Sequence, residues 1–462
     1  MNTDLCRLAD HRGIEGFTYE EPMVDGVDYT NRNVDFDRGM VHLNPQYSTG
    51  FSIPTEMLPS VGNLGVAFLA VDFPDSPATE NQLAKVRTVA DEVNEYFRFA
   101  SGGRFQMDFR FGDRVFRVPQ DSTTFGLQGI GGSNRALTVE VVAAADPHVD
   151  FTGVRSIFML IPEDNTTIAN DWHYPPHPGR MGTDGSLTGK SIMTDEGAKI
   201  DAWSGNGYYF HRPDIISRGG VAMFYVHESL HDMGIVDLYL YGYQGPDDIY
   251  MFGPTTLPMS DWAMMSQQNG NAREIIAWHK WLLGWLSEEQ VYCFPLEFLT
   301  EIELSLSPAT RESDGYKAVM IPVSDHKVIV VESRRAEGYS ANVGAIAVGV
   351  DIDGVRQRRW LNQFGSEGLI VYTYDTAVFN GSGPARLQIP EGRASDWKMP
   401  SEPYWGNDPD SPWLAWDPDN PGNIFVEALP DPLVRLGDKV TVEGVTIELI
   451  ESGESDRVRI SK

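Results

Sequence analysis

The sequence predicts a two-domain protein in which a mixed α/β (α+β) domain precedes an all-β domain. At 462 residues the chain exceeds the length that one hydrophobic core accommodates, which is about 250 to 300 residues. Strand-like runs alternate with helical patterns up to about residue 298, and only strand-like runs follow. We therefore expect an irregular arm over residues 1–60, an α/β domain with a mixed sheet over 61–298, and a sandwich or jelly-roll domain over 299–462.

The α/β pattern begins at Leu64, after an arm rich in Asp, Asn, Pro and Gly that shows no sustained period. The run LGVAFLAVDF is short and almost wholly apolar, as in a strand that is covered on both faces. Thr79 and Gln82 then have the spacing of a capping box, which predicts the start of a helix. Its apolar face would carry Leu83, Val86, Ala90, Val93 and Phe97.

The later elements follow the same pattern. RFQMDFRF, DRVFRVP and VRSIFMLIP predict strands, whereas NRALTVEVVAAADP and NAREIIAWHKWLLGWL predict helices. GKSIMT predicts an edge strand inside a Gly- and Pro-rich stretch from 162 to about 215. From about residue 300, repeated short strands separated by turn residues predict the sandwich. These strands are YKAVMIPVS, HKVIVVESR, GAIAVGVDI, EGLIVYTYDT, NIFVEAL, DKVTVEGVTIELIE and DRVRIS.

Composition limits the classes of partner. The formal net charge of −30 disfavours nucleic acid, because an acidic surface repels phosphates. We find no stretch approaching the roughly 20 apolar residues of a membrane span, and MNTDLCRLADHRG has no apolar core of a signal peptide. Cys6 and Cys293 are the two cysteines, so disulfides are not the scaffold, and a bridge between them stays open.

The segment from about Ser217 to Met233 carries apolar residues around nearly its whole circumference, which predicts a buried helix. Buried ionisable groups are unfavourable unless they are paired or bound to a metal. His227 and His231 stand four residues apart, so their imidazoles project from one face and can converge on one ion. Zinc suits nitrogen ligands, and a catalytic zinc site needs three protein ligands.

The residues after the helix supply the rest of such a site. Gly234 can take the left-handed conformation that ends a helix, which would return Asp237 towards the metal as the third ligand. Glu228 follows the first ligand directly and is placed to act as general base for a zinc-bound water. The extended pattern HExxHxxGxxD is much rarer by accident than HExxH alone.

These residues resemble the metzincin clan of zinc endopeptidases, and within it the immune inhibitor A-like family of bacterial secreted metallopeptidases. HESLHDMGIVDLY looks like that family's signature, and SDWAMMSQ resembles its methionine turn, which selects Met265 as the structural methionine. VDFPDSPAT, VNEYFRFASGGRFQMDF, AWHKWLLGWL and VIVVESRRAEGY are similar to stretches found there in the same order. The resemblance spans roughly residues 61 to 335.

The resemblance implies a metzincin-like zinc peptidase that cleaves protein or peptide substrates outside the cell, with calcium as a further structural cofactor. The family's signal and propeptide are not evident in this sequence, and no tyrosine follows Met265 in the arrangement that some metzincins use as an extra ligand. The alternative function is a catalytically inactive peptidase fold that recognises glycan or protein through its β-domain.

Three weaker patterns remain. His173 and His177 in DWHYPPHPG are interpreted as exposed loop residues in preference to a second metal site. Solvated turns are favoured over calcium for four aspartates, Asp408, Asp410, Asp417 and Asp419. Cys6 as a cap on the zinc ranks behind a bridge to Cys293 and behind a free thiol.

Overall fold

The structure is a mixed α/β fold with several sheets. It is a computed structural model that describes residues 3–10, 48–55, 57–125, 135–168, 172–174, 191–206, 220–239, 259, 262–266, 273–340, 345–352, 355–362, 367–378, 380, 383–393, 426–427 and 431–462. The chain forms two compact units, residues 53–235 and residues 1–52 with 236–462. The boundary between these units falls inside the predicted 61–298 domain, and the assignment of functions to domains stays a prediction.

The unit 53–235 is built on a mixed sheet. Its strands and helices are β1 Gly62–Asp72, α1 Gln82–Ala100, β2 Phe105–Phe111, β3 Phe116–Arg117, α2 Arg135–Ala145, β4 Val154–Leu160, β5 Trp172–Tyr174, β6 Ile192–Met193, β7 Lys199–Ile200, β8 Ala202–Asn206 and α3 Gly220–Asp232. The sheet order is β2-β1-β4-β8-β5, and β3 pairs with the end of β1. All of these pairs are parallel except β5 with β8.

Both faces of this sheet are covered, as the continuous apolar run of β1 predicts. Leu69 and Val71 pack into a core with residues of α2. Phe68 points to the other face, because side chains alternate along a strand. Its ring lies 5.5 Å from that of Phe158 and 4.9 Å from that of Tyr225 in α3. Helices therefore lie on both sides of the parallel strands.

Gln82 begins α1 and is buried. Its Nε2 donates to the carbonyls of Val71 and Leu160 at 2.8 Å each, so it joins the ends of β1 and β4. Its Oε1 accepts the N–H of Thr79 at 3.3 Å, which is one half of the predicted capping box. The prediction for Leu83 was wrong: it is exposed, because Gln82 takes the inward position in the first turn.

The predicted edge strand at GKSIMT is present in its described residues. There β6 pairs with β7 in a separate two-stranded antiparallel sheet, in which both strands are edges. The described path of the main sheet ends at β5. Turn residues between Met193 and Lys199 return the chain on itself, and local pairing of this kind decides the partner of so short a strand.

The unit of residues 1–52 and 236–462 is dominated by β-structure. Its elements are α4 Ala277–Leu282, β9 Val291–Cys293, β10 Glu301–Leu306, β11 Ala318–Pro322, β12 Lys327–Arg334, β13 Ala345–Ile352, β14 Val355–Asn362, β15 Gly368–Asp375, β16 Ala385–Leu387, β17 Val426–Glu427, β18 Lys439–Val442, β19 Val445–Glu451 and β20 Asp456–Ser461. They form the sheets β16-β15-β12-β11-β9, β10-β20-β19-β18 and β14-β13-β17.

The first two of these sheets share one hydrophobic core, as facing sheets of a sandwich do. Val319 of β11 and Val331 of β12 contribute from one sheet, and Ile447 of β19 and Ile460 of β20 contribute from the other. The predicted helix NAREIIAWHKWLLGWL is shorter than expected in its described part. It covers only α4, because Ile276 is extended before it and the chain turns at Gly284.

Buried charges hold the segment before α4. Arg334 of β12 pairs with Glu332 at 2.7 Å and also donates to the carbonyl of Trp262 at 3.4 Å. Lys280 of α4 pairs with Glu274 at 3.2 Å, and all four charged side chains are almost fully buried. Buried ions need such partners, so this network fixes the segment firmly to the sheet.

A disulfide joins Cys6 to Cys293 of β9, with the two Cα atoms 5.9 Å apart. The bridge ties the short 3₁₀ helix Thr3–Cys6 to the five-stranded sheet. It also removes Cys6 from the candidates for a zinc-binding thiol, because a disulfide sulfur is no thiolate. None of the helices in the described ranges is long and apolar enough to cross a membrane.

Candidate metal centre

Helix α3 is buried along its whole length, as its apolar circumference predicts. Tyr225 fixes it against the sheet: its ring stacks on Phe158 at 4.6 Å, and its hydroxyl donates to the carbonyl of Met159 at 2.6 Å. Burial raises the pKa of this phenol well above its usual range, so the hydroxyl stays a donor. The helix is therefore a rigid support for the polar side chains that it carries.

His227 and His231 lie one turn apart on this helix, and both are buried. Their ring centroids are 4.8 Å apart, and the rings are nearly perpendicular. Nδ1 of His231 lies 2.7 Å from the carbonyl of Ile235. A carbonyl only accepts, so Nδ1 carries the proton and Nε2 keeps the lone pair that a metal needs.

Helix α3 ends in the left-handed turn that a glycine at position 234 predicts. Gly234 has a φ of +96°, which is in the left-handed region. Its N–H donates to the carbonyl of His231 at 2.8 Å, and the N–H of Ile235 donates to that of Leu230 at 2.9 Å. These two bonds are the pair that defines a Schellman end. The chain consequently reverses within a few residues of the second histidine.

The reversal brings Asp237 to the two histidines. One potential ligand atom each from His227, His231 and Asp237 lies within 4.8 Å of the others, and all three residues are buried. Ligand atoms around a tetrahedral zinc lie roughly 3.3 Å apart, which is inside this limit. Two imidazoles and one carboxylate are a suitable donor set for such an ion. The three residues that the sequence selected could therefore hold a metal.

The backbone around Asp237 is held by two bonds within the unit to which it belongs. Its N–H donates to Oδ1 of Asn380 at 2.6 Å, and the next N–H, of Leu238, donates to the carbonyl of Met265 at 2.9 Å. Met265 is buried, and its neighbour Met264 donates to the carbonyl of Glu274 at 2.8 Å. The predicted methionine segment thus supports the chain next to Asp237. Its role under a metal stays a prediction.

Two acidic residues of α3 are also buried. Glu228 follows His227 directly and is 8% exposed, and its role as general base stays a prediction. Asp232 follows His231, and burial raises the pKa of its carboxyl group well above the usual range. Its carbonyl accepts the N–H of Leu58 at 2.8 Å. The sequence did not single out Asp232, because its position at the end of the helix is not distinguished by the spacing of a metal ligand.

Sequence reasoning missed Asn380. It lies 143 residues after Asp237, beyond β15, and no local pattern links the two positions.

The other residues that the sequence singled out more weakly stay predictions. The side chain of His173 lies outside the described residues, as do His177, Asp408, Asp410, Asp417 and Asp419. Calcium at these aspartates stays a prediction.

No protein-family model matches the chain, and no curated protein matches it. Wild-type OgpA from Akkermansia muciniphila is similar to it at 8% identity and a TM-score of 0.22, over 73% of this chain and 95% of that chain. Catalytically inactive OgpA in complex with an O-glycopeptide substrate, glycodrosocin, is similar at 9% identity and a TM-score of 0.21, over 71% and 92%. Scores this low carry no argument about this chain.

Proposed function

We propose that this protein is a zinc-dependent endopeptidase. The observation that carries the proposal is the convergence of His227, His231 and Asp237 at the end of a buried helix. Placing three such side chains together away from water is unfavourable without an ion to bind them. The donor set favours zinc over calcium and magnesium, because imidazole nitrogen suits zinc, whereas calcium and magnesium prefer oxygen ligands.

The chemistry of peptide hydrolysis divides between the ion and the protein. A zinc ion at this site would supply an activated water and would polarise the substrate carbonyl. Glu228 accepts the proton of the attacking water and passes it to the departing amine. The His231 imidazole is held in the ligating tautomer by Ile235 throughout. No side chain is needed as a nucleophile, so no covalent intermediate forms.

We also propose that the protein works outside the cytosol. The bridge between Cys6 and Cys293 supports this, because structural disulfides persist in oxidising compartments and are rare in reducing ones. Protein or peptide chains are the proposed substrates, in keeping with the implied endopeptidase activity.

The proposal is tested by separating metal binding from cleavage. Glu228→Gln should retain one zinc per chain and lose about 10²- to 10⁴-fold in hydrolysis of casein, because the amide cannot take up the proton. His227→Ala should lose both zinc and cleavage. Glu80→Gln is the matched control, since it makes the same change at an exposed residue and should behave as wild type.

Two outcomes would count against the proposal. Full activity in Glu228→Gln would remove this residue as the base. A wild-type protein that binds zinc but leaves casein and a peptide library intact would favour the alternative, a binding protein on an inactive peptidase fold.

A further inference from the structure

Asn380 is a buried amide that contacts the third candidate ligand directly. Its Oδ1 accepts the backbone N–H of Asp237 at 2.6 Å, and both residues are 2% exposed. An N–H group buried at this depth needs an acceptor, because its loss of water is unfavourable when no hydrogen bond replaces it. The bond therefore fixes how the peptide group before Asp237 is oriented.

The orientation of this peptide group governs where the carboxylate lies. Gly234 turns the chain, and the following residues reach Asp237 without any helix or strand to hold their dihedral angles. Rotation about the bonds on either side of the peptide group would carry the Asp237 side chain away from the imidazoles. The Asn380 bond restrains this rotation at Asp237, and the Met265 bond restrains it at Leu238. The acceptor from Asn380 is a side-chain oxygen, whereas the acceptor from Met265 is a backbone carbonyl. A mutation of Asn380 can therefore remove its acceptor without altering the backbone.

We propose that Asn380 is a positioning residue of the metal centre, which acts on the ion through the backbone of Asp237. This inference rests on the proposed function, because it takes Asp237 as a zinc ligand. The amide presets the carboxylate, so that binding of zinc does not have to order this segment. Partners that orient metal ligands in this way typically change metal affinity by 10- to 100-fold when they are removed.

The test measures zinc affinity in metal-free protein by competition with a chromophoric chelator. Asn380→Ala should bind zinc about 10- to 100-fold more weakly than wild type. Asn380→Asp keeps an oxygen at the same place and should bind within about threefold of wild type, since the added charge also favours a cation. Asn165→Ala is the matched control: Asn165 is equally buried and its Oδ1 accepts the N–H groups of Thr167 and Ile168. It should lose stability and keep its zinc affinity.

A purely structural amide would give a different result. The inference is overturned if Asn380→Ala binds zinc as wild type does, or if Asn380→Asp is weakened as much as Asn380→Ala. Should the alanine variant fail to fold, Asn380→Gln replaces it, because the longer side chain displaces the oxygen and carries the same expectation. If wild type itself binds no zinc, the proposed function fails together with this inference, whereas zinc binding by wild type with an unaffected Asn380→Ala removes the inference alone.

Discussion

Lys317 is a buried lysine whose ammonium group is held by oxygen atoms of the preceding segment. Its Nζ donates to the carbonyl of Pro308 at 3.0 Å, to Oγ of Ser313 at 2.6 Å and to the carbonyl of Arg311. Burial lowers the pKa of Lys317 from 10.5 to about 8, and repulsion by Lys280 and Arg311 adds to this effect. The charged form is thus disfavoured in the fold despite its three acceptors.

This lysine should make stability rise with pH above neutrality. Below pH 8 the folded and unfolded chains both carry its proton, so its unfavourable contribution is constant. Between about pH 8 and 10.5 the unfolded chain binds more protons, and the free energy of unfolding therefore increases. From pH 7 to pH 9 the gain relative to Lys317→Met should be about 1 kcal/mol. Urea unfolding of both proteins across this range measures it, and a difference that does not change with pH would contradict the assigned pKa.

Single residues also show what the sequence could and could not predict at the candidate site. His227, His231 and Asp237 were predicted because helix geometry and one glycine fix their relative positions over eleven residues. Asn380 could not be predicted, because its contact with Asp237 depends on how a distant part of the chain folds back. Short-range spacing is encoded locally, whereas long-range contacts are set by the packing of whole sheets.

At the scale of elements, the end of α3 is the feature on which the candidate site depends. A side chain at Gly234 would be strained by the φ of +96°, and its Cβ would lie 2.8 Å from Cγ2 of Ile53 and 3.4 Å from Cγ of Met57. The left-handed turn is therefore both conformationally and sterically restricted to glycine.

Gly234→Ala should lower the free energy of unfolding by about 1–3 kcal/mol more than the conformational cost alone. Gly153→Ala is the control for that cost, because Gly153 has a φ of +78° and its Cβ would meet no atom within 4 Å. Chemical denaturation of the two variants gives the comparison. Equal destabilisation of both would show that Ile53 and Met57 yield without penalty.

Other elements show where the apolar pattern of the sequence predicts secondary structure and where it does not. The buried strands β1 and β4 and the helices α1, α2 and α3 lie where their apolar patterns predict them, because burial on one face leaves a period and burial on all sides leaves a continuous apolar run. The run GKSIMT predicted an edge strand but is too short for its pattern to identify the neighbouring strand, which is β7. The apolar residues before α4 are buried without being helical, so burial alone did not identify a helix there.

At the scale of the whole molecule, the disulfide and the negative net charge bear on the compartment and the partners of the protein. The bridge joins two residues that are 287 positions apart in the sequence, so it strongly restricts the conformations of the unfolded chain. The net charge of −30 disfavours binding to phosphate backbones, and the absence of nucleic acid as a partner stays a prediction. Export of the protein likewise stays a proposal that the bridge supports.

The measurement that tests the proposed zinc centre most directly is X-ray absorption at the zinc edge on protein loaded with one equivalent of zinc. The account predicts nitrogen and oxygen donors at about 2.0–2.2 Å with scattering from two imidazoles, and no sulfur, because both cysteines are oxidised. A zinc–sulfur distance near 2.3 Å, fewer than two imidazoles, or failure to retain zinc would contradict it.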